Sequence, residues 1–129
     1  MRVVVADDHA GFRKALVTTL GLVSGVEVIG EASDGPSAAA TAIKMEPDVV
    51  LMDLSMPGLS GIEAMVRIHR RRPDIPVIIL TAHAEPGIER EAIASGAHAF
   101  LAKGGSLQEM IDALLDVEID RPVEKLGGA

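Results

Sequence analysis

Four short runs in the chain are almost continuously apolar: Val3 to Ala6, Val49 to Met52, Val77 to Leu80 and Ala99 to Ala102. A strand with one wet face alternates apolar and polar residues, so unbroken runs predict strands buried on both faces. A fifth run, Val26 to Ala32, carries Glu27 and Glu31 among its apolar residues, which predicts a less protected strand at a sheet edge. Between the runs the apolar spacing turns helical. Phe12, Leu16 and Leu20 recur every fourth residue, Ile62, Met65 and Ile68 line a second helix, and Leu107, Ile111, Leu114 and Leu115 line a third. Two weaker helices are predicted around Ser37 to Met45 and Ile88 to Ser95. Ser60 with Glu63, and Ser106 with Glu109, have the spacing of a capping box and mark two helix starts. Met56-Pro57-Gly58-Leu59 puts Pro and Gly at the central positions of a type II turn, so the chain should reverse sharply before the helix near Ser60.

Strand and helix thus alternate five times, which predicts an α/β, doubly wound fold: a five-stranded parallel sheet with helices on both faces. In such a sheet the polar residue after each buried run lies at the carboxyl edge, where open α/β folds bind ligands. Here those residues are Asp7 and Asp8, Asp53, Thr81 and Lys103. Three carboxylates, a hydroxyl and an ammonium are expected to converge. Two carboxylates ~4 Å apart repel by about 4 kcal/mol at an effective dielectric of about 20. Three in one place therefore call for a proton, a lysine partner or a hard divalent cation, and oxygen-only donors favour magnesium, manganese or calcium over zinc. Magnesium suits a phosphoryl ligand best, because it keeps its waters and shares phosphate oxygens. A carboxylate can also attack phosphorus to give an acyl phosphate, and Asp53, after the most continuously apolar run, is the candidate nucleophile.

Composition narrows the classes without selecting one. A chain of 129 residues, 48% hydrophobic and 24% charged, is one globular domain's worth, and a net charge of −7 is the wrong sign for gripping a nucleic-acid backbone. Trp and Tyr are absent and Phe occurs twice, so bases would find no stacking platform. With no cysteine there is no disulfide framework and no thiolate nucleophile. The apolar start is short and interrupted by acids, and no stretch approaches the ~20 apolar residues of a membrane span, so the expected location is cytoplasmic. Arg67, Arg70, Arg71 and Arg72 fall in the last turns of a helix, where cations complement exposed carbonyls; they are read as a helix end and not as a nucleic-acid patch. Val66, beside the apolar stripe of the same helix, is expected to be exposed. His9, His69, His83 and His98 show no metal-ligand spacing.

These residues, in order and at this spacing, resemble the receiver domain of bacterial two-component response regulators. The resemblance covers residues 1–118 and rests on the acidic pair Asp7-Asp8, on Asp53 within Asp-Leu-Ser-Met-Pro-Gly-Leu-Ser-Gly, on Thr81-Ala82 and on Lys103. Ala6-Asp7-Asp8-His9, Arg13 and the later Gly-Glu-Ala-Ser-Asp-Gly look most like the NarL/FixJ (LuxR-type) subfamily. The resemblance implies a flavodoxin-like (CheY-like) fold with strand order 2-1-3-4-5. It also implies that Asp53 accepts a phosphoryl group from a histidine kinase. Asp8, Asp53 and the backbone carbonyl of Ser55 would ligate magnesium, with manganese as a substitute, and Asp7 would hold it through water. Lys103 would pair with the phosphoryl oxygens, the Thr81 hydroxyl would move to them, and Phe100 would turn inward as part of the switch. Ser55 and His83 would tune the lifetime of the phosphoryl group.

The sequence departs from the family's pattern at Gly104, where many receivers carry a proline after a cis bond. The stretch after Lys103 suffices for one helix and a tail, expected over 119–129, so the helix-turn-helix DNA-binding domain usual in the subfamily is not expected within this sequence. The implied function is a phosphorylation-activated switch, self-catalysed and not an enzyme with turnover. It would act on transcription through an output domain, with homodimerisation on phosphorylation, no nucleic-acid binding by this domain itself and no membrane. The alternatives are a stand-alone receiver acting by protein contact and a haloacid-dehalogenase-type phosphatase. That phosphatase needs a second Asp two residues after the first, where this chain has Ser55. A flavodoxin-like flavin binder is disfavoured because Asp7 and Asp8 would repel the flavin phosphate.

Overall fold

The computed structural model describes residues 1–119. Strands β1 (Arg2–Ala6), β2 (Glu27–Ala32), β3 (Val49–Asp53), β4 (Val77–Thr81) and β5 (Ala99–Ala102) alternate with helices α1 (Ala10–Gly21), α2 (Gly35–Met45), α3 (Gly61–Arg71), α4 (Pro86–Ala94) and α5 (Leu107–Ile119). All neighbouring strands are parallel, in the order β2-β1-β3-β4-β5. The expected class, strand order and alternation are therefore those observed. The helix α5 runs one residue into the expected tail, and residues 120–129 lie outside the described residues.

Side chains alternate across the sheet, which explains why the central runs carry no polar residue. Val4, Ala6, Val50, Met52, Val77 and Ile79 face one buried cluster, shared with Ala38 and Ala42 of α2 and Ala64, Met65 and Ile68 of α3. Val3, Val5, Val49, Leu51, Ile78 and Leu80 face the other, shared with Leu16 and Leu20 of α1 and Leu114 and Val117 of α5. All residues of β3 and β4 are buried. The strand β5 departs from the expectation of burial on both faces: Ala99, Phe100 and Leu101 are only half-buried and Ala102 is exposed. It forms the second edge of the sheet, so its apolar run packs against β4 on one side only. The other edge, β2, is half-protected as Glu27 and Glu31 predict.

Local signals set the helix ends. Ser60 Oγ accepts from the Glu63 N–H at 3.1 Å while the Glu63 carboxylate accepts from the Ser60 N–H at 3.0 Å, a complete capping box. Ser106 Oγ likewise accepts from the Glu109 N–H at 3.1 Å. Asp34, which the periodicity did not single out, caps α2 by accepting from the Ser37 N–H at 2.7 Å. At the far end of α3, Arg70 and Arg71 sit in the last turn, and Arg72 pairs with Asp74 at 2.9 Å and with Glu46. The arginine cluster is thus a helix end. Val66 is half-buried and not exposed, because it flanks the stripe that α3 packs on the sheet.

The β3–α3 connection is tighter than a type II turn. Gly58 has the positive φ of +86° that the Pro-Gly pair predicts, yet the Leu59 N–H bonds to the Pro57 carbonyl at 3.1 Å, two residues back, as in a γ-turn. Three residues on, Gly61 opens α3 directly beneath the end of β3: its N–H bonds to the Leu54 carbonyl at 2.7 Å, and a Cβ there would lie 2.2 Å from the Asp53 carbonyl oxygen. Helix and strand end can approach this closely only without a side chain. Gly61→Ala should therefore cost about 3 kcal/mol or more in urea unfolding, at the upper end of overpacking effects. A loss below about 0.5 kcal/mol would show that the approach is not required.

Candidate functional site

Strand register brings the polar residues together. Ala6 pairs with Met52, Asp53 with Leu80 and Thr81 with Ala102, so the strand ends carrying Asp7, Asp53, Thr81 and Lys103 lie side by side at the carboxyl edge. Asp7 is 1% exposed, Asp53 4% and Thr81 5%, the three buried polar residues among those described. Asp8 is exposed at the rim.

Asp7 is held on several sides. Its N–H bonds to the Ala32 carbonyl at 2.9 Å, its Oδ1 accepts from the His9 N–H at 2.8 Å, and its carbonyl accepts from Arg13 Nη1 at 2.7 Å. Arg13 also pairs with Glu31 at 3.1 Å, so one guanidinium ties the acidic loop to the edge strand. Asp7 Oδ2, by contrast, has no aligned hydrogen-bond donor. Its charge partner is Lys103, whose Nζ stands 2.7 Å from Asp7 Oδ2 and 3.2 Å from Asp53 Oδ1. The Lys103 N–H bonds to the Thr81 carbonyl at 2.7 Å, which fixes the lysine's backbone to the end of β4. The described residues contain no cis peptide bond, so the Lys103-Gly104 link is trans.

The electrostatics follow from crowding. Burial, then the charge of Asp7, push the Asp53 carboxyl up from its ordinary 3.8 to about 6, although Lys103 pulls the other way. Burial works against the Lys103 ammonium, but its contacts with Asp7 and Asp53 outweigh that and hold it above its ordinary value. The cluster therefore favours one more positive charge than Lys103 supplies. Carboxylate oxygens of Asp7, Asp8 and Asp53 lie within 4.8 Å of one another. With three carboxylates against one ammonium and a donor set made only of oxygen, the site fits a hard divalent cation.

The remaining expected residues are placed less uniformly. Ser55 is exposed, and its N–H reaches Asp53 Oδ1 at 3.4 Å. Thr81 Oγ1 donates to the His83 carbonyl and accepts from the His83 N–H, both at 3.2 Å, so the hydroxyl is engaged by the loop after β4. His83 touches Thr81 through its backbone and is exposed. Phe100 is half-buried and packs against the cluster under α2 and α3. His69 bonds to the Ile75 carbonyl at 2.8 Å, away from the site. Sequence reasoning did not identify two contributors: Gly61, hidden within the Ser-Gly that opens a helix, and Phe12, which reads as an ordinary core position. The Phe12 ring lies under the lysine, 4.7 Å from Lys103 Nζ to its centroid.

The raised Asp53 value sets a pH dependence. The folded protein binds this proton more tightly than the unfolded chain, so the penalty is absent below about pH 3.8, grows as pH rises through about 6 and is complete above. Asp53→Asn should therefore raise the stability of the metal-free protein at pH 7.5, by on the order of 2 kcal/mol in urea unfolding, and the gain should fade near pH 4. An equal gain at both pH values would contradict this origin.

Residues 3–115 match the family of response regulator receiver domains. The chain is 36% identical over 117 residues to the response regulator GacA of Pseudomonas aeruginosa, an alignment covering 91% of this chain and 55% of that protein. The signal receiver domain of the putative response regulator NarL from Mycobacterium tuberculosis superposes with a TM-score of 0.87 at 38% identity, covering 93% of this chain and 97% of that one. RcsB from Salmonella enterica, bound to promoter rprA in the presence of phosphomimetic BeF3−, superposes with a TM-score of 0.83 at 28% identity, covering 92% and 98%. The chain spans about half the length of the curated relatives it matches. The acidic strand ends and the lysine between them thus lie in a chain that belongs to the receiver domain family of two-component response regulators.

Proposed function

We propose that the domain is a phosphorylation-activated switch in which Asp53 accepts a phosphoryl group from a histidine kinase. The observation that carries this reading is the Lys103 ammonium held between Asp7 and Asp53, 2.7 and 3.2 Å away, at the carboxyl edge of the sheet with Asp8 exposed at its rim. A carboxylate oxygen of Asp53 forms the new O–P bond as the P–N bond to the kinase histidine breaks. The electron pair leaves on the imidazole nitrogen, which takes up a proton. Asp8, Asp53 and the Ser55 carbonyl would hold magnesium or manganese directly, and Asp7 through water. When bound, the metal neutralises charge on the transferring oxygens. Lys103, already placed by Asp7, turns one N–H from Asp53 to a phosphoryl oxygen. The phosphoryl group carries about −1.5 to −2 charges where the carboxylate carried −1, and its oxygens can draw the Thr81 hydroxyl from the His83 backbone. That movement frees the loop after β4 and lets Phe100, only half-buried, turn inward.

The chemistry is self-catalysed and has no metabolic turnover, since Ser55 stands where a phosphatase of the haloacid-dehalogenase type would need a second acid. We further propose that the domain acts in the cytoplasm and dimerises on phosphorylation. Output would pass to a DNA-binding domain outside these residues, as the longer transcriptional relatives and promoter-bound RcsB suggest. No described helix is long and apolar enough to cross a membrane. Regulation by protein contact alone is the second reading.

Incubation with acetyl phosphate and magnesium should add the mass of one phosphoryl group. Asp53→Asn, or a chelator, should abolish the gain; no gain in the wild type, or an undiminished gain in the variant, would overturn the mechanism. Replacing Ser55 and His83 together should change the decay rate of the phosphorylated protein severalfold, and an unchanged decay would remove both from that role.

A further inference from the structure

We infer that Phe12 is a positioning residue for Lys103, its ring serving as the third wall that holds the ammonium at the site. The inference rests on the phosphorylation reading above. An ammonium has three donors. Two of its sides are taken by Asp7 and Asp53. On another, the Phe12 ring stands 4.7 Å from Nζ, within the range in which an aromatic face attracts a cation. Lysine carries one of the largest rotamer entropies of any side chain, so a lysine left to wander would have to be ordered at each phosphoryl transfer. Here it is ordered beforehand: its side chain is only 13% exposed.

The ring itself is anchored. Phe12 lies on the first turns of α1, one helical repeat before buried Leu16, and packs on the cluster shared with α5. With Leu101, Ser106, Leu107 and Met110 it lines the cleft between α1 and the start of α5, where Lys103 emerges. Leucine in its place would fill similar space and keep the helical stripe, but it has no quadrupole. Phe12 therefore contributes something that its place in the periodic pattern does not require. It is also chemically isolated: the chain's other aromatic, Phe100, packs in the opposite cluster.

The test uses the full chain with acetyl phosphate and magnesium, and follows the rate of phosphoryl gain by intact mass. Phe12→Leu should slow labelling about fivefold to tenfold, and Phe12→Tyr should restore most of it. Site-specific replacement of Phe12 by mono-, di- and trifluorophenylalanine removes electron density from the ring face at nearly constant shape. The rate should fall stepwise along that series while the unfolding midpoint stays level, which loss of packing alone would not produce. If the wild type labels and the series is flat, the inference fails and the phosphorylation reading stands. If the wild type does not label, the phosphorylation reading itself fails and the role of Phe12 in that reaction falls with it.

Discussion

Two buried carboxylates at neighbouring strand ends repel each other, and the fold tolerates them because Lys103 stands between them. That arrangement depends on the whole topology. Asp7 follows β1, Asp53 ends β3 and Lys103 follows β5, and the parallel sheet in the order β2-β1-β3-β4-β5 brings all three to one edge. The lysine then has to reach across β4. Its backbone is tied to the Thr81 carbonyl, and its ammonium arrives at Asp7 and Asp53. Compensation is incomplete, as the upward shift of Asp53 shows, and this residual cost is what a cation and a phosphoryl group can relieve.

The apolar layers supply rigidity for this edge. The central strands are sealed on both faces, so their ends move little and the polar groups at their tips are fixed by register. The loops are made close-fitting by particular residues: Gly61 lets α3 meet the end of β3, and Arg13 straps the acidic loop to β2. The switching groups are tied less firmly than the acids. The Thr81 hydroxyl bonds to the His83 backbone two residues on, and Phe100 lies on an edge strand.

Much of this was legible in the residues. Continuous apolar runs mark doubly buried strands because each face needs its own apolar residues, and the acid, hydroxyl or lysine after each run marks the carboxyl edge. The capping box at Ser60 and Glu63 placed α3 to the residue. Where the reading fell short, the reason is geometric. The run Ala99 to Ala102 looks like its neighbours in composition, but being last in the sheet it lacks a partner on one side. Gly58 announces a reversal without specifying that the turn closes over three residues. Phe12 falls on a helical stripe, and periodicity cannot distinguish a core ring from one that also faces a lysine far along the chain. The acid excess changed meaning in the same way: it first excludes a nucleic-acid grip, and Asp7, Asp8 and Asp53 among those acids form the site.

Burial and the neighbouring charge of Asp7, only partly offset by Lys103, give Asp53 its character. The most direct measurement is an NMR titration of the Asp53 carboxyl carbon in the metal-free protein, repeated in Asp7→Asn. The expected midpoint is about 6 in the wild type and lower in the variant, where the second charge is gone. A wild-type midpoint near the ordinary 3.8, unmoved by the loss of Asp7, would contradict it.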